Sequence, residues 1–314
     1  MIVDAHHHFW QVAAQDQPWR DDRHDTIARD YSPDDLATEL ARAGVDRTVL
    51  IQSVDEPAEN DRLLQYAEKA PYVGAVVGWL PLSDVEAARR EITRVGSISG
   101  ERSVAGGGPS NTPPAAPAGG GGGGLTKFAS AFSGVRCLVG RAPLDWLAEA
   151  ATVDLFRELA AAGISWDVVP VTAEQTNAVL GLADAVPELR IVVDHLGRPP
   201  VDSGGWEPWA GQVRRLAECP RVAMKVSLGI DLLTELREWP ELERYLSWVV
   251  ECFGARRLML ASNWPVVLLR ASYDEAWTDL RTALEHVVKN EDERAAVLGG
   301  TAAHYYRINR KVSP

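Results

Sequence analysis

The sequence predicts an α/β fold of the (β/α)8 TIM-barrel class, distorted and built as one domain over residues 1–314. Three observations predict it. Short β-branched runs alternate with longer stretches of helical period, the pattern required when each parallel strand returns through a covering helix. The strand candidates number eight, at residues 2–8, 46–53, 73–79, 134–139, 164–169, 190–195, 222–227 and 257–262. No G-x-G-x-x-G follows any of them, which removes the dinucleotide-binding reading of the rival open, doubly wound sheet.

Between the strands lie amphipathic stretches at 33–43, 59–70, 84–95, 153–162, 173–185, 208–218 and 240–253. Ser32-Pro33 places a cap residue before a proline at the first helical position, and Gly44 and Gly163 stand where helices should stop. One segment breaks the rhythm. Residues 96–133 contain Gly-Gly-Gly-Pro-Ser-Asn-Thr-Pro-Pro-Ala-Ala-Pro and six successive glycines, a composition that cannot repay its ordering entropy by burial. It is expected to be a disordered glycine-rich insertion joining the third helix to the fourth strand, on the barrel face away from the chemistry.

With 46% hydrophobic residues the chain can bury a full core without a metal or disulfide staple. Lys plus Arg total 32 against 44 Asp plus Glu, and the resulting charge of −12 repels a phosphate backbone and an anionic membrane surface alike, so no nucleic-acid or membrane partner is expected. Cys137, Cys219 and Cys252 are odd in number and lack C-x-x-C spacing, which suits a reducing compartment. The first residues carry an acid and no basic segment ahead of an apolar run, and nowhere do 18 apolar residues follow one another, so a cytoplasmic protein is expected.

Three segments carry the candidate chemistry. Side chains alternate along a strand, so Asp4, His6 and His8 should project together while His7 points the other way. The apolar run 191–193 closes on Asp194-His195-Leu-Gly-Arg-Pro-Pro, and the last strand finishes in Ser262-Asn263-Trp264-Pro265. Polar groups at strand ends on one barrel face read as site residues. Arg136 and Lys225, on the fourth and seventh strands, would be buried cations in need of an anion. That anion is either a substrate carboxylate, for which Arg136 is the better fit, or Asp167 or Asp194 in a structural ion pair. Trp10, Trp79 and Trp264 lie at or just past strand ends and could wall a pocket for a flat or cyclic substrate.

These fragments together resemble the amidohydrolase superfamily, and within it the lactonase branch that hydrolyses sugar lactones, muconolactones and 2-pyrone-4,6-dicarboxylate. The closing Gly-Gly-Thr-Ala-Ala-His-Tyr-Tyr is similar to the family's last helix, and the likeness covers most of the chain outside the glycine-rich stretch. The resemblance implies a distorted (β/α)8 barrel in which His6 and His8 match the first-strand pair and His195 the sixth-strand histidine. Asn263 stands where the relatives carry the aspartate that takes a proton from the attacking water, with or without a divalent metal.

An amide has no basic carboxylate oxygen, so Asn263 can position a water but cannot deprotonate it. Hydrolysis by the family route is expected to be impaired by the loss of a contribution of about 10²–10⁴, and Asn263→Asp is expected to restore it. Residue 263 reads as a deliberate substitution that traps ligand, as natural divergence, or as the mark of a ligand-binding pseudoenzyme. Cys137 after Arg136, and Ser227-Leu228-Gly229 where relatives often carry Ser-Gly-Leu, lean toward divergence. His6, His8 and His195 could hold a divalent metal, zinc before others, although loss of the carboxylate at 263 points to weak binding or none. The expected partner is a small cyclic ester or carboxylated substrate, and a homo-oligomer is compatible with the sequence. The alternative activity is a zinc-dependent decarboxylation, which the same superfamily builds on a similar residue set.

Overall fold

A computed structural model describes residues 1–105, 122–201, 205–230 and 240–308. Eight parallel strands follow one another in chain order: β1 Val3–His7, β2 Arg47–Ile51, β3 Val73–Trp79, β4 Gly134–Arg136, β5 Ser165–Val168, β6 Ile191–Val193, β7 Val222–Val226 and β8 Leu258–Leu260. Each pairs with the next, with register shifts in β1–β2 and β2–β3, and β1 and β8 approach as a nearly closed barrel. The seam between them is short. It consists of a bridge between His7 and Trp264, with His8 N–H donating to Trp264 O at 2.8 Å and Asn263 N–H donating to His6 O at 2.9 Å.

The covering helices begin with α1 Pro33–Ala43, α2 Pro57–Lys69 and α3 Val85–Ala105, and continue through α4 Gly122–Ala131, α5 Ala150–Ala161, α6 Ala173–Ala185 and α7 Trp209–Glu218 to α8 Pro240–Phe253 and α9 Tyr273–Val287. Helix α1 shows how local chemistry sets the bounds. Ser32 and Asp35 form a reciprocal capping box, Pro33 occupies the first turn, and Gly44 ends the helix at φ 67°, a conformation that costs glycine little. Among the described residues no helix is long and apolar enough to cross a membrane.

The glycine-rich region differs from its expected extent. Helix α3 runs on to Ala105 and α4 starts at Gly122, because Phe128 and Phe132 are buried in the main core and anchor the second flank. The two helices approach closely at Gly96, where a Cβ would lie 2.6 Å from the Gly124 carbonyl oxygen. Of the expected insertion, residues 96–105 and 122–131 lie in these two helices, and its centre, residues 106–121, lies outside the described residues.

Inside the barrel the lower layer is apolar: Val3, Ala5, Val49, Ile51, Ala75, Val77, Val192, Ala223, Met259 and Ala261 cluster with Tyr305, Tyr306 and Ile308 from the chain end. Asp4 does not project with His6 and His8. The β1–β2 register slips between Asp4 and His7, so the alternation is interrupted by a bulge that turns His6 inward beside an already inward Ala5. Asp4 instead accepts hydrogen bonds from Ser262 N–H at 2.9 Å, Ser262 Oγ at 2.6 Å and Tyr273 of α9 at 3.1 Å, lacing the seam from outside. Removing this buried acceptor strands its donors, so Asp4→Ala should lose about 2–4 kcal/mol of stability, read as a lowered urea midpoint with an unchanged slope.

Candidate active site

Above the apolar layer the inward positions change character: Arg136 on β4, Asp167 on β5, Asp194 just past β6 and Lys225 on β7 are all buried. Four charges of balanced sign thus share the barrel interior. Lys225 Nζ sits 2.6 Å from Asp167 Oδ2 and 2.9 Å from Asp194 Oδ1, while Arg136 Nη1 donates to Asp194 Oδ2 at 3.0 Å. Tyr306 donates to Asp167 Oδ2 at 2.6 Å from below. Burial alone would push the Asp194 carboxyl up, but Lys225, His6 and Arg136 together hold it well below the usual carboxylate range. Lys225 is therefore not available to a substrate, because its ammonium is fully buried among protein partners; the ion-pair alternative is the one observed.

The imidazoles are oriented by groups that can act in only one direction. The Lys225 ammonium can only donate, and it lies 3.1 Å from His6 Nδ1; the Ile51 carbonyl can only accept, and it lies 2.9 Å from His8 Nδ1. His6 Nε2 and His8 Nε2 are 3.1 Å apart. The consistent assignment runs from Lys225 through His6 to His8 and on to Ile51, and it occupies every nitrogen of both rings. Arg136 Nη1, 3.2 Å from His6 Nε2, gives its proton to Asp194 in this arrangement. His195 stands outside the chain. Its Nδ1 meets Ser227 Oγ at 2.9 Å, and the ring borders the cavity above.

That cavity, of about 200 Å³, has a polar floor of His8, Arg136, His195 and Asn263 and an apolar wall that includes Trp19, Leu138, Val139, Ile230 and Val266. Asn263 adopts φ 58°, a left-handed conformation in which asparagine is enriched. Its Nδ2 donates to the Leu228 carbonyl at 2.8 Å, and its buried Oδ1 has no hydrogen-bond partner. Cys137 also borders the cavity, but burial pushes its thiol up to about 12, so it is an inert wall residue.

The structure thus brings His8, Arg136, His195 and Asn263 to one cavity, with His6 directly beneath. The three tryptophans are not there. Trp10 and Trp264 are buried against Tyr31 in an aromatic cluster, and Trp79 is held by its backbone to Asn60. Trp264 follows an inward Asn263 and so turns outward. Trp19 takes the wall position instead, tied by its indole N–H to Ser53 O at 3.0 Å; it lies in a loop whose sequence has no periodicity to reveal it.

The metal expectation shifts by one residue. His6, Asp194 and His195 each offer a ligand atom within 4.8 Å of the others, whereas His8 is not in this group. Two imidazoles and a carboxylate suit zinc in type. Asp194 is already ion-paired with Lys225 and Arg136, which balances the local charge against tight binding, while its buried Oδ1 makes no hydrogen bond and is the carboxylate atom left to a metal.

Burial lowers all of these imidazoles, His7 and His195 to about 3 and His6 and His8 well below the usual value, so each is neutral near pH 7. In the unfolded chain they titrate near the ordinary value of about 6.5, so below it the unfolded state binds more protons and stability falls as pH falls. The loss per imidazole approaches about 1.4 kcal/mol per pH unit only well below 6.5, and below about pH 6 it is opposed by Asp4 and Asp55, whose carboxyls burial raises to about 6. Urea unfolding between pH 7.5 and 6 should show stability falling by just under about 1 kcal/mol per imidazole over the whole interval, and His7→Gln should remove about a quarter of that fall.

Comparison with known proteins agrees with this architecture. The chain is 33% identical to an L-fucono-1,5-lactonase of Burkholderia ambifaria over 98% of its own length and 96% of that protein. It is 27% identical to an L-fucono-1,5-lactonase of Burkholderia multivorans, again over 98% and 96%. Among solved structures, an amidohydrolase from Burkholderia multivorans with bound zinc superposes with a TM-score of 0.75 at 27% identity, covering 98% of this chain and all of that one. A family model described as Amidohydrolase matches residues 3–308, and the chain belongs to that family.

Proposed function

We propose that this chain is a lactonase-type hydrolase that opens the ring of a small sugar lactone, of the class named for its fuconolactonase relatives. The observation that carries the reading is the convergence of a free imidazole nitrogen, a guanidinium and an unpartnered amide oxygen on the floor of one ring-sized cavity. Arg136, whose Nη1 is held by Asp194, turns the rest of its guanidinium to the cavity and polarises the lactone carbonyl. Water adds to the carbonyl carbon, its proton passes to His195 Nε2, and the ring C–O bond breaks. The departing oxygen then takes that proton back, so the imidazole ends neutral. Burial and the nearby cations keep His195 neutral at ordinary pH, and because they also disfavour its protonated form the proton it takes is passed on at once to the departing oxygen.

Residue 263 cannot act as the base, so the family route through a carboxylate at that position is closed here; by that route the loss would be about 10²–10⁴. Zinc held by His6, Asp194 and His195 would supply Lewis-acid polarisation of the carbonyl. The ion pairing of Asp194 with two cations favours weak retention of such an ion, which also weighs against the zinc-dependent decarboxylase alternative.

The test is lactone opening by the purified chain on a panel of aldono-1,5- and 1,4-lactones, followed by acid release in a weakly buffered indicator. Opening of a sugar lactone is expected, with His195→Asn lowering kcat by about 10²-fold or more. Absence of any opening overturns the reading. After dialysis against EDTA the activity should persist and zinc should be sub-stoichiometric by elemental analysis; zinc retained at one per chain would move the assignment toward the decarboxylase.

A further inference from the structure

We infer that the site is built for an amide at residue 263, and that Asn263 is the working residue which holds the attacking water, so that a carboxylate there would impair the site. The inference rests on the lactonase reading for its activity arm and on geometry for the rest. Asn263 Nδ2 donates to the Leu228 backbone carbonyl at 2.8 Å. A carbonyl oxygen only accepts, so whichever terminal atom of residue 263 faces it must carry a hydrogen. An aspartate in this rotamer would set an ionised oxygen against the Leu228 oxygen, replacing a hydrogen bond by repulsion inside a buried site.

Leu228 cannot readily withdraw. Its side chain is buried in the main core and its backbone follows β7 directly after Ser227, which is held by His195. Residue 263 is equally fixed, by its N–H to His6 O at 2.9 Å and by its own carbonyl, which accepts from Val267 N–H at 3.1 Å. With residue 263 held by the seam and Leu228 by the end of β7, the hydrogen bond to Leu228 sets the amide, and its Oδ1 is left on the cavity side. This oxygen is buried and without a hydrogen-bond partner, an arrangement that costs free energy unless a donor from the cavity completes it. A water O–H is such a donor. Accepting one hydrogen fixes the water while its other hydrogen remains free for His195, so the amide orients the nucleophile and the imidazole receives the proton.

The experiment compares the native chain with Asn263→Asp and Asn263→Gly. Glycine accepts φ 58° and introduces no charge, so it controls for the loss of the side chain alone. On the lactone turned over by the native chain, Asn263→Asp should fall at least about tenfold in kcat/KM, mainly in kcat. In thermal unfolding at pH 7.5 it should melt below Asn263→Gly. An aspartate variant as active as the native chain or more so overturns the inference, as does one that melts at or above the glycine variant. If the native chain opens no lactone, the proposed function falls while the melting comparison still decides whether the site accepts a carboxylate.

Discussion

Everything above the apolar layer depends on the two-carboxylate, two-cation cluster of Asp167, Asp194, Lys225 and Arg136. Buried charges are costly unless paired, and removing one partner of such a set typically costs about 3–5 kcal/mol. Here each charge has a partner from a different strand, so the cluster ties β4, β5, β6 and β7 together at one height. Its chemical effect is indirect. By donating to His6, Lys225 selects the tautomer of one ring, and through it that of His8, leaving His195 as the imidazole that faces the cavity uncommitted.

The eight strands and most helices were legible because their signals are local and periodic. The run 73–79 is the observed β3, and 33–43, 173–185 and 240–253 are observed helices end to end. Residues at strand ends were legible too, since His8, Arg136, His195 and Asn263 reach the cavity as their positions on successive strands imply. What alternation could not convey was its own interruption. The bulge in β1 separates Asp4 from His6, and nothing in Val-Asp-Ala-His-His marks it. Partner choice was hidden for a different reason: whether Lys225 meets substrate or Asp167 depends on distances between strands that no single segment encodes. The same holds for Trp19 against the three tryptophans at strand ends.

Asparagine at 263 looks, in sequence, like a site with its base removed. In three dimensions it has a donor spent on Leu228, a backbone conformation suited to its type, and an acceptor aimed at the cavity.

Tyr306 gives the chain end a part in the site. Its phenol reaches up through the barrel floor to Asp167, the partner of Lys225, so the helical turn Thr301–Tyr305 that Tyr306 caps terminates a line of polar contacts that leads to the histidines. The interior polar framework is therefore complete only once Tyr306 has folded back beneath the strands. A change at Tyr306, 139 positions from Asp167 in sequence, would be felt along the line of contacts that holds the histidines.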